Sequence, residues 1–110
     1  IYRSMSIDQD LNIFMNTPTR LVPIEQVSSG TMDQIYMAVR LAAAKLVIGD
    51  KGNMPLIFDD SFALYDDDRL KTALKWLSKA WDKQCIIFTC HQREEEILKE
   101  EGITHQIIQI

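Results

Sequence analysis

Pro55-Leu56-Ile57-Phe58-Asp59-Asp60-Ser61 is the stretch that decides how this chain is read. Three apolar residues run straight into two adjacent carboxylates, and a second acidic cluster, Asp66-Asp67-Asp68, follows closely. A short unbroken apolar run predicts a strand buried on both faces, as in a parallel sheet covered by helices. Acids at its end fall where open α/β sheets place ligands, outside the carboxyl ends of the strands. Such acids handle a divalent cation or activate a water, or else they simply begin a solvated turn.

Outward from that strand, the chain reads as α-β-α-β-α-β. Before it, apolar residues recur at Met32, Ile35, Tyr36, Val39, Ala42, Ala43, Leu46 and Val47. That is helical spacing, and Ala38, Leu41 and Ala44 on the other faces predict a helix largely buried. Its start, Val27-Ser28-Ser29-Gly30-Thr31, offers good N-cap residues and a glycine that admits close approach. Free N–H groups and a positive dipole end make such a start an anion site, although plain capping also accounts for it. After the strand, Leu70, Ala73, Leu74, Leu77, Ala80 and Trp81 mark a second amphipathic helix. Asp66 is its expected N-cap, with Asp67 and Asp68 placed favourably in the first turn. A strand from Gln84 to Cys90, a charged helix from Gln92 to Glu101 and a last strand from Thr104 to Ile110 follow. The Arg93-Glu94-Glu95-Glu96 run reads as a solvated helix face. The helix–strand alternation predicts a parallel, right-handed α/β unit.

Residues 1–26 read differently. Met5-Ser6-Ile7, Leu11 to Met15 and Arg20 to Ile24 are short strand patterns separated by turn signals at Asp8-Gln9-Asp10 and Asn16-Thr17-Pro18. They predict an antiparallel meander, with the Pro23 strand at an edge because proline cannot donate to a ladder.

Length and composition bound the rest. A chain of 110 residues suits one core, and its 46% hydrophobic and 25% charged residues are those of a globular protein. A net charge of −4 argues against a surface broadly adapted to nucleic acid. No apolar run approaches the roughly 20 residues that cross a bilayer, and no signal peptide is visible, so a cytoplasmic protein is expected. Cys85 and Cys90 fall on opposite faces of one predicted strand, and are read as buried reduced thiols that do not bridge. Cys90 and His91 lack companion ligands along the chain, so no zinc site is expected. A start at Ile1 and an end inside Ile107-Ile108-Gln109-Ile110 suggest a piece of a longer protein.

A Ser-Ser-Gly helix start, a strand ending in two acids and a later strand ending in Thr89-Cys90-His91 resemble, in this order, the C-terminal lobe of an ABC-type ATPase head. The likeness is above all to the SMC-like branch of DNA repair and chromosome maintenance, including YhaN-like ATPases. Val27 to Thr31 is similar to the signature motif, and Leu56-Ile57-Phe58-Asp59-Asp60 to the Walker B strand. Ala63-Leu64-Tyr65-Asp66 is similar to the D-loop, and His91 to the switch histidine. The resemblance implies the C-terminal half of a P-loop ATPase head: residues 27–110 as an α/β unit of parallel strands with flanking helices, preceded by the β meander of residues 1–26.

It also implies roles. Asp59 holds magnesium, Asp60 orients or deprotonates the attacking water, and His91 contacts the γ-phosphate. Ser28, Ser29, Gly30 and Thr31 meet the ATP held by a second head, and Asp66 lies at the head–head contact. Asp60 stands where most ABC proteins carry glutamate, and Ser29 and Thr31 replace glycine and glutamine. No Gly-x-x-x-x-Gly-Lys-[Ser/Thr] loop occurs in the 110 residues, so hydrolysis is expected only with an N-terminal lobe that carries it. ATP, magnesium, that lobe and a second head are the implied cofactors and partners, with DNA reached through the full-length protein. Two other readings are a magnesium-dependent phosphotransferase or nuclease, using Asp59, Asp60 and Asp66 to Asp68, and a non-catalytic receiver-like domain with Asp59 as phosphoacceptor.

Overall fold

In the computed structural model, which describes residues 4–110, the chain divides into two compact units, Ile1–Ala42 and Ala43–Ile110. The first contains strands β1 (Ser4–Ile7), β2 (Ile13–Asn16) and β3 (Leu21–Pro23), a single 3-10 turn (Ile24–Gln26) and most of helix α1 (Ser29–Ile48). β1, β2 and β3 form the expected antiparallel meander in that order, leaving Pro23 on an edge strand. The first turn is built by Asp8, whose carboxylate accepts from the Asp10 and Asn12 N–H groups and from Asn12 Nδ2. These bonds, chiefly those from Asn12, hold the Asp8 carboxyl below its ordinary pKa. They also draw Leu11 and Asn12 out of β2: Leu11 takes a positive φ of 64° and is 79% exposed. Thr17 fixes the second turn by donating its hydroxyl to the Arg20 carbonyl. Met15 and Val22 are cross-strand partners, and they pack with Ile24, Val27 and Ile35 in the core of this unit.

The second unit runs β4 (Leu56–Asp59), α2 (Asp67–Ala80), β5 (Cys85–Phe88) and α3 (Arg93–Glu100). β4 and β5 are parallel, with Leu56 beside Cys85 and Asp59 beside Phe88, so α2 is the crossover helix. Asp66 is the N-cap of α2 as expected, its carboxylate accepting from the Arg69 N–H at 2.8 Å. The predicted stripe is the core: Leu70, Ala73, Leu74, Leu77 and Trp81 are buried, joined by Phe62, Tyr65 and Ile97. The Phe62 ring lies 5.3 Å from Phe58 and meets Tyr65 edge-on at 5.5 Å. α3 is held to α2 by Glu101, which pairs with Lys71 at 2.7 Å and Lys75 at 3.0 Å.

Four expectations are corrected. β4 is not buried on both faces: Leu56 and Phe58 are half-buried while Ile57 is 62% exposed. α1 is likewise less buried than its composition predicts, with Ile35 and Leu41 buried but Leu46 and Val47 each 85% exposed. Cys85 and Cys90 are free as expected, yet both are exposed: Cys85 is the first residue of β5, and Cys90 lies in the loop beyond its end at Phe88. Burial of part of the Cys85 residue still raises its thiol pKa. The segment 104–110 forms no strand. α3 ends in a Schellman motif, with Gly102 at φ +64° and N–H groups of Gly102 and Ile103 returning to the Lys99 and Leu98 carbonyls. The apolar residues beyond it pair with no described strand, and Ile108 is 76% exposed.

Candidate nucleotide site at the strand ends

Parallel pairing brings the carboxyl ends of β4 and β5 side by side. The ladder continues one rung past Asp59, since the Asp60 N–H donates to the Phe88 carbonyl at 2.9 Å. Asp60 then takes a positive φ of 49°, uncommon for a residue with a side chain, and the chain turns away. On β5, the His91 N–H donates to Thr89 Oγ1 at 3.0 Å, which sets the bend after the strand. The result places Asp60, Cys90 and His91 together, all exposed, with ligand atoms within 4.8 Å of one another. Cys90 and His91 therefore do have a companion donor, supplied through space by the neighbouring strand. Asp59 ends β4 with its side chain exposed.

The turn of residues 61–66 is organised by a residue whose role the sequence did not disclose. Arg93, in the first turn of α3, donates to the carbonyls of Phe62 at 2.6 Å, Ala63 at 3.2 Å and Tyr65 at 2.5 Å. It also faces Asp67 at 3.4 Å. The expected solvated face is thus corrected at two positions. Arg93 serves the turn, and Glu94 is only 4% exposed, with Oε1 4.0 Å from Arg93 Nε and Oε2 without a hydrogen bond among the described residues. The signal was faint: an arginine two residues after His91, opposite an acidic triplet. Within the turn, Phe62 and Tyr65 are buried anchors, Ala63 is half-buried, and Leu64 projects with 92% of its surface exposed. Asp66 spends its carboxylate on the Arg69 N–H and on the Arg69 guanidinium at 3.5 Å.

The Ser28–Thr31 start of α1 belongs to the first unit. Ser28 caps the helix, its carbonyl accepting from Met32 and its Oγ from the Thr31 N–H at 3.3 Å, with Thr31 Oγ1 2.8 Å away. Ser28 and Ser29 are exposed, Gly30 and Thr31 half-buried.

No family model matches the chain. YhaN of Bacillus subtilis, an uncharacterized protein, is 34% identical over 85 residues, which are 76% of this chain and 9% of YhaN. The uncharacterized protein Rv1278 of Mycobacterium tuberculosis is 34% identical over 88 residues, 78% of this chain and 10% of that protein. The chain thus spans about a tenth of the length of the curated relatives it matches. A solved structure from work on ATP-driven dimerization and DNA-stimulated activation of SMC ATPases superposes with a TM-score of 0.65 at 18% identity, over 84% of this chain and 59% of that one. This is the fold of the C-terminal region of an SMC-like ATPase head. Asp59 and Asp60 offer exposed oxygen ligands of the kind magnesium takes alongside phosphates and water. No described helix is long and apolar enough to cross a membrane.

Proposed function

We propose that this chain is the C-terminal half of an ATP-hydrolysing head in a longer SMC-like protein. The observation that supports it most is the meeting of Asp60 and His91 at the ends of two parallel strands, with Asp59 next to Asp60 in the chain. Bound magnesium–ATP would supply charge neutralisation and a phosphoryl group open to attack by water. Asp59 would hold the metal. Asp60 would orient the water and accept its proton, and His91 would direct a ring nitrogen at the γ-phosphate. The P-loop would come from the N-terminal lobe of the same protein. Ser28 to Thr31 would face the ATP of a second head, so that ATP drives pairing of the two. Leu64 and its neighbours, held out by Arg93, would form the head–head contact attributed to the D-loop. Asp66 engages one carboxylate oxygen with the Arg69 N–H and the other with the Arg69 guanidinium, so its share in that contact would compete with Arg69. The setting is a cytoplasmic protein of DNA repair or chromosome maintenance.

Asp60→Asn in the full-length protein tests this. The amide keeps the size of the side chain but cannot take a proton from water. ATP binding persists, ATP-bound pairs accumulate, and phosphate release falls by about a hundredfold or more. Turnover equal to the parent would show that another acid activates the water. The exposed oxygen donors are also compatible with a magnesium-dependent phosphotransferase or nuclease, but no observation favours that reading over the SMC-like fold.

A further inference from the structure

We infer that Asp60, Cys90 and His91 form a site for zinc, or a zinc-like soft divalent cation, that switches the head off. The three side chains bring a carboxylate, a thiol and an imidazole together from two strand ends, all within 4.8 Å. Their backbones are fixed by the Asp60-to-Phe88 rung and the His91-to-Thr89 bond, while the side chains themselves are exposed and free to turn. In a tetrahedral zinc site, bonds of about 2.0–2.3 Å space the ligand atoms roughly 3.3–3.8 Å apart. Rotation about the side-chain bonds is enough to close the difference. The donor set selects the metal. Magnesium demands oxygen ligands in near-octahedral array, whereas sulfur and imidazole nitrogen suit zinc. Three protein ligands leave the fourth position to water. Binding would release the Cys90 thiol proton to solvent and leave a thiolate on the metal.

The consequence for activity rests on the proposed function, since Asp60 and His91 are the groups assigned there to water and the γ-phosphate. Zinc would occupy both at once. Neither can then serve hydrolysis, while the P-loop lobe still binds ATP. Cys90 has no part in the hydrolytic chemistry, so its thiol serves only the metal.

The test uses the full-length protein with zinc ion as the probe. Without nucleotide, stoichiometric zinc should protect Cys90 from alkylation, read by peptide mass spectrometry, and leave Cys85 reactive. Protection should be lost in Asp60→Ala and in His91→Ala. With excess magnesium–ATP, zinc should abolish phosphate release and a chelator should restore it. Cys90→Ser should hydrolyse ATP like the parent and resist zinc, while Cys85→Ser should remain sensitive. Equal alkylation of Cys90 with and without zinc overturns the site, and equal inhibition of Cys90→Ser overturns it too. Protection without inhibition overturns the switch. Should the parent hydrolyse no ATP at all, the ATPase reading fails, while the alkylation result still decides the metal site.

Discussion

Arg93 shows how much one side chain can organise. A guanidinium carries five donors in a fixed fork, and here it meets three carbonyls of a turn that makes few other backbone bonds. Replacing it with alanine takes the guanidinium from the Ala63 and Tyr65 carbonyls, while the Phe62 carbonyl keeps the Tyr65 N–H, at a cost of about 2 kcal/mol. Amide hydrogen exchange across residues 61–66 should accelerate in Arg93→Ala, and Arg93→Lys should restore only part of the protection, since an ammonium cannot span three acceptors. Unchanged exchange would mean that Phe62 and Tyr65 hold the turn by packing alone. This residue lay hidden in the sequence because charge runs on short helices are usually solvated, and only the fold shows which carbonyls face it. The acids at the end of β4 were legible, since an apolar run stops abruptly at Asp59. Their company with Cys90 was not, because it depends on the parallel register of β4 with β5.

At the scale of elements, helices were read more surely than strands. The stripe of α2 and its Asp66 cap are local properties, fixed by spacing and by one carboxylate. A strand is defined by its neighbours, and the run from Thr104 to Ile110 is apolar enough for one but joins no described strand. The apolar run of β4 predicts double burial for a related reason: it specifies that a strand can be covered, not what covers it. The junction of α2 with α3 carries a pH dependence that can be worked out. Hydrogen bonds from Lys71, then from Lys75, lower the Glu101 carboxyl pKa below its ordinary value of 4.5. A lowered folded-state pKa gives stability that is present above the ordinary value and lost as pH falls through the folded one. Protection of α3 amides should therefore weaken as pH drops below about 4.5. In Glu101→Gln that acid-sensitive part should be absent, with α3 less protected at neutral pH. Lys71, raised chiefly by its hydrogen bond to Glu101, predicts the mirror effect in strong alkali. A Glu101→Gln profile matching the parent through the acid range would assign the docking of α3 to Ile97 and the apolar contacts instead.

For the whole molecule, the apolar surface left uncovered by the described residues is as informative as the core. Ile57 and Phe88 on the strands and Leu46 and Val47 on α1 are exposed, in a chain about a tenth as long as its curated relatives. In the proposed head, an N-terminal lobe covers them and brings the P-loop to Asp59. Such a proposed head would work in pairs, each site taking its P-loop from one partner and Ser28 to Thr31 from the other. Ser28→Arg places a bulky side chain where two surfaces and a nucleotide must close. The helix itself survives, since a lost cap costs about 1 kcal/mol. Heads carrying Ser28→Arg should bind ATP but neither pair nor hydrolyse it, and heads with a defective P-loop should fail for the opposite reason. The most direct measurement is phosphate release and light scattering from a mixture of the two. One site in each mixed pair keeps an intact P-loop and an intact Ser28, so pairing and partial hydrolysis should return. A mixture of folded variants that stays inactive would contradict the composite site.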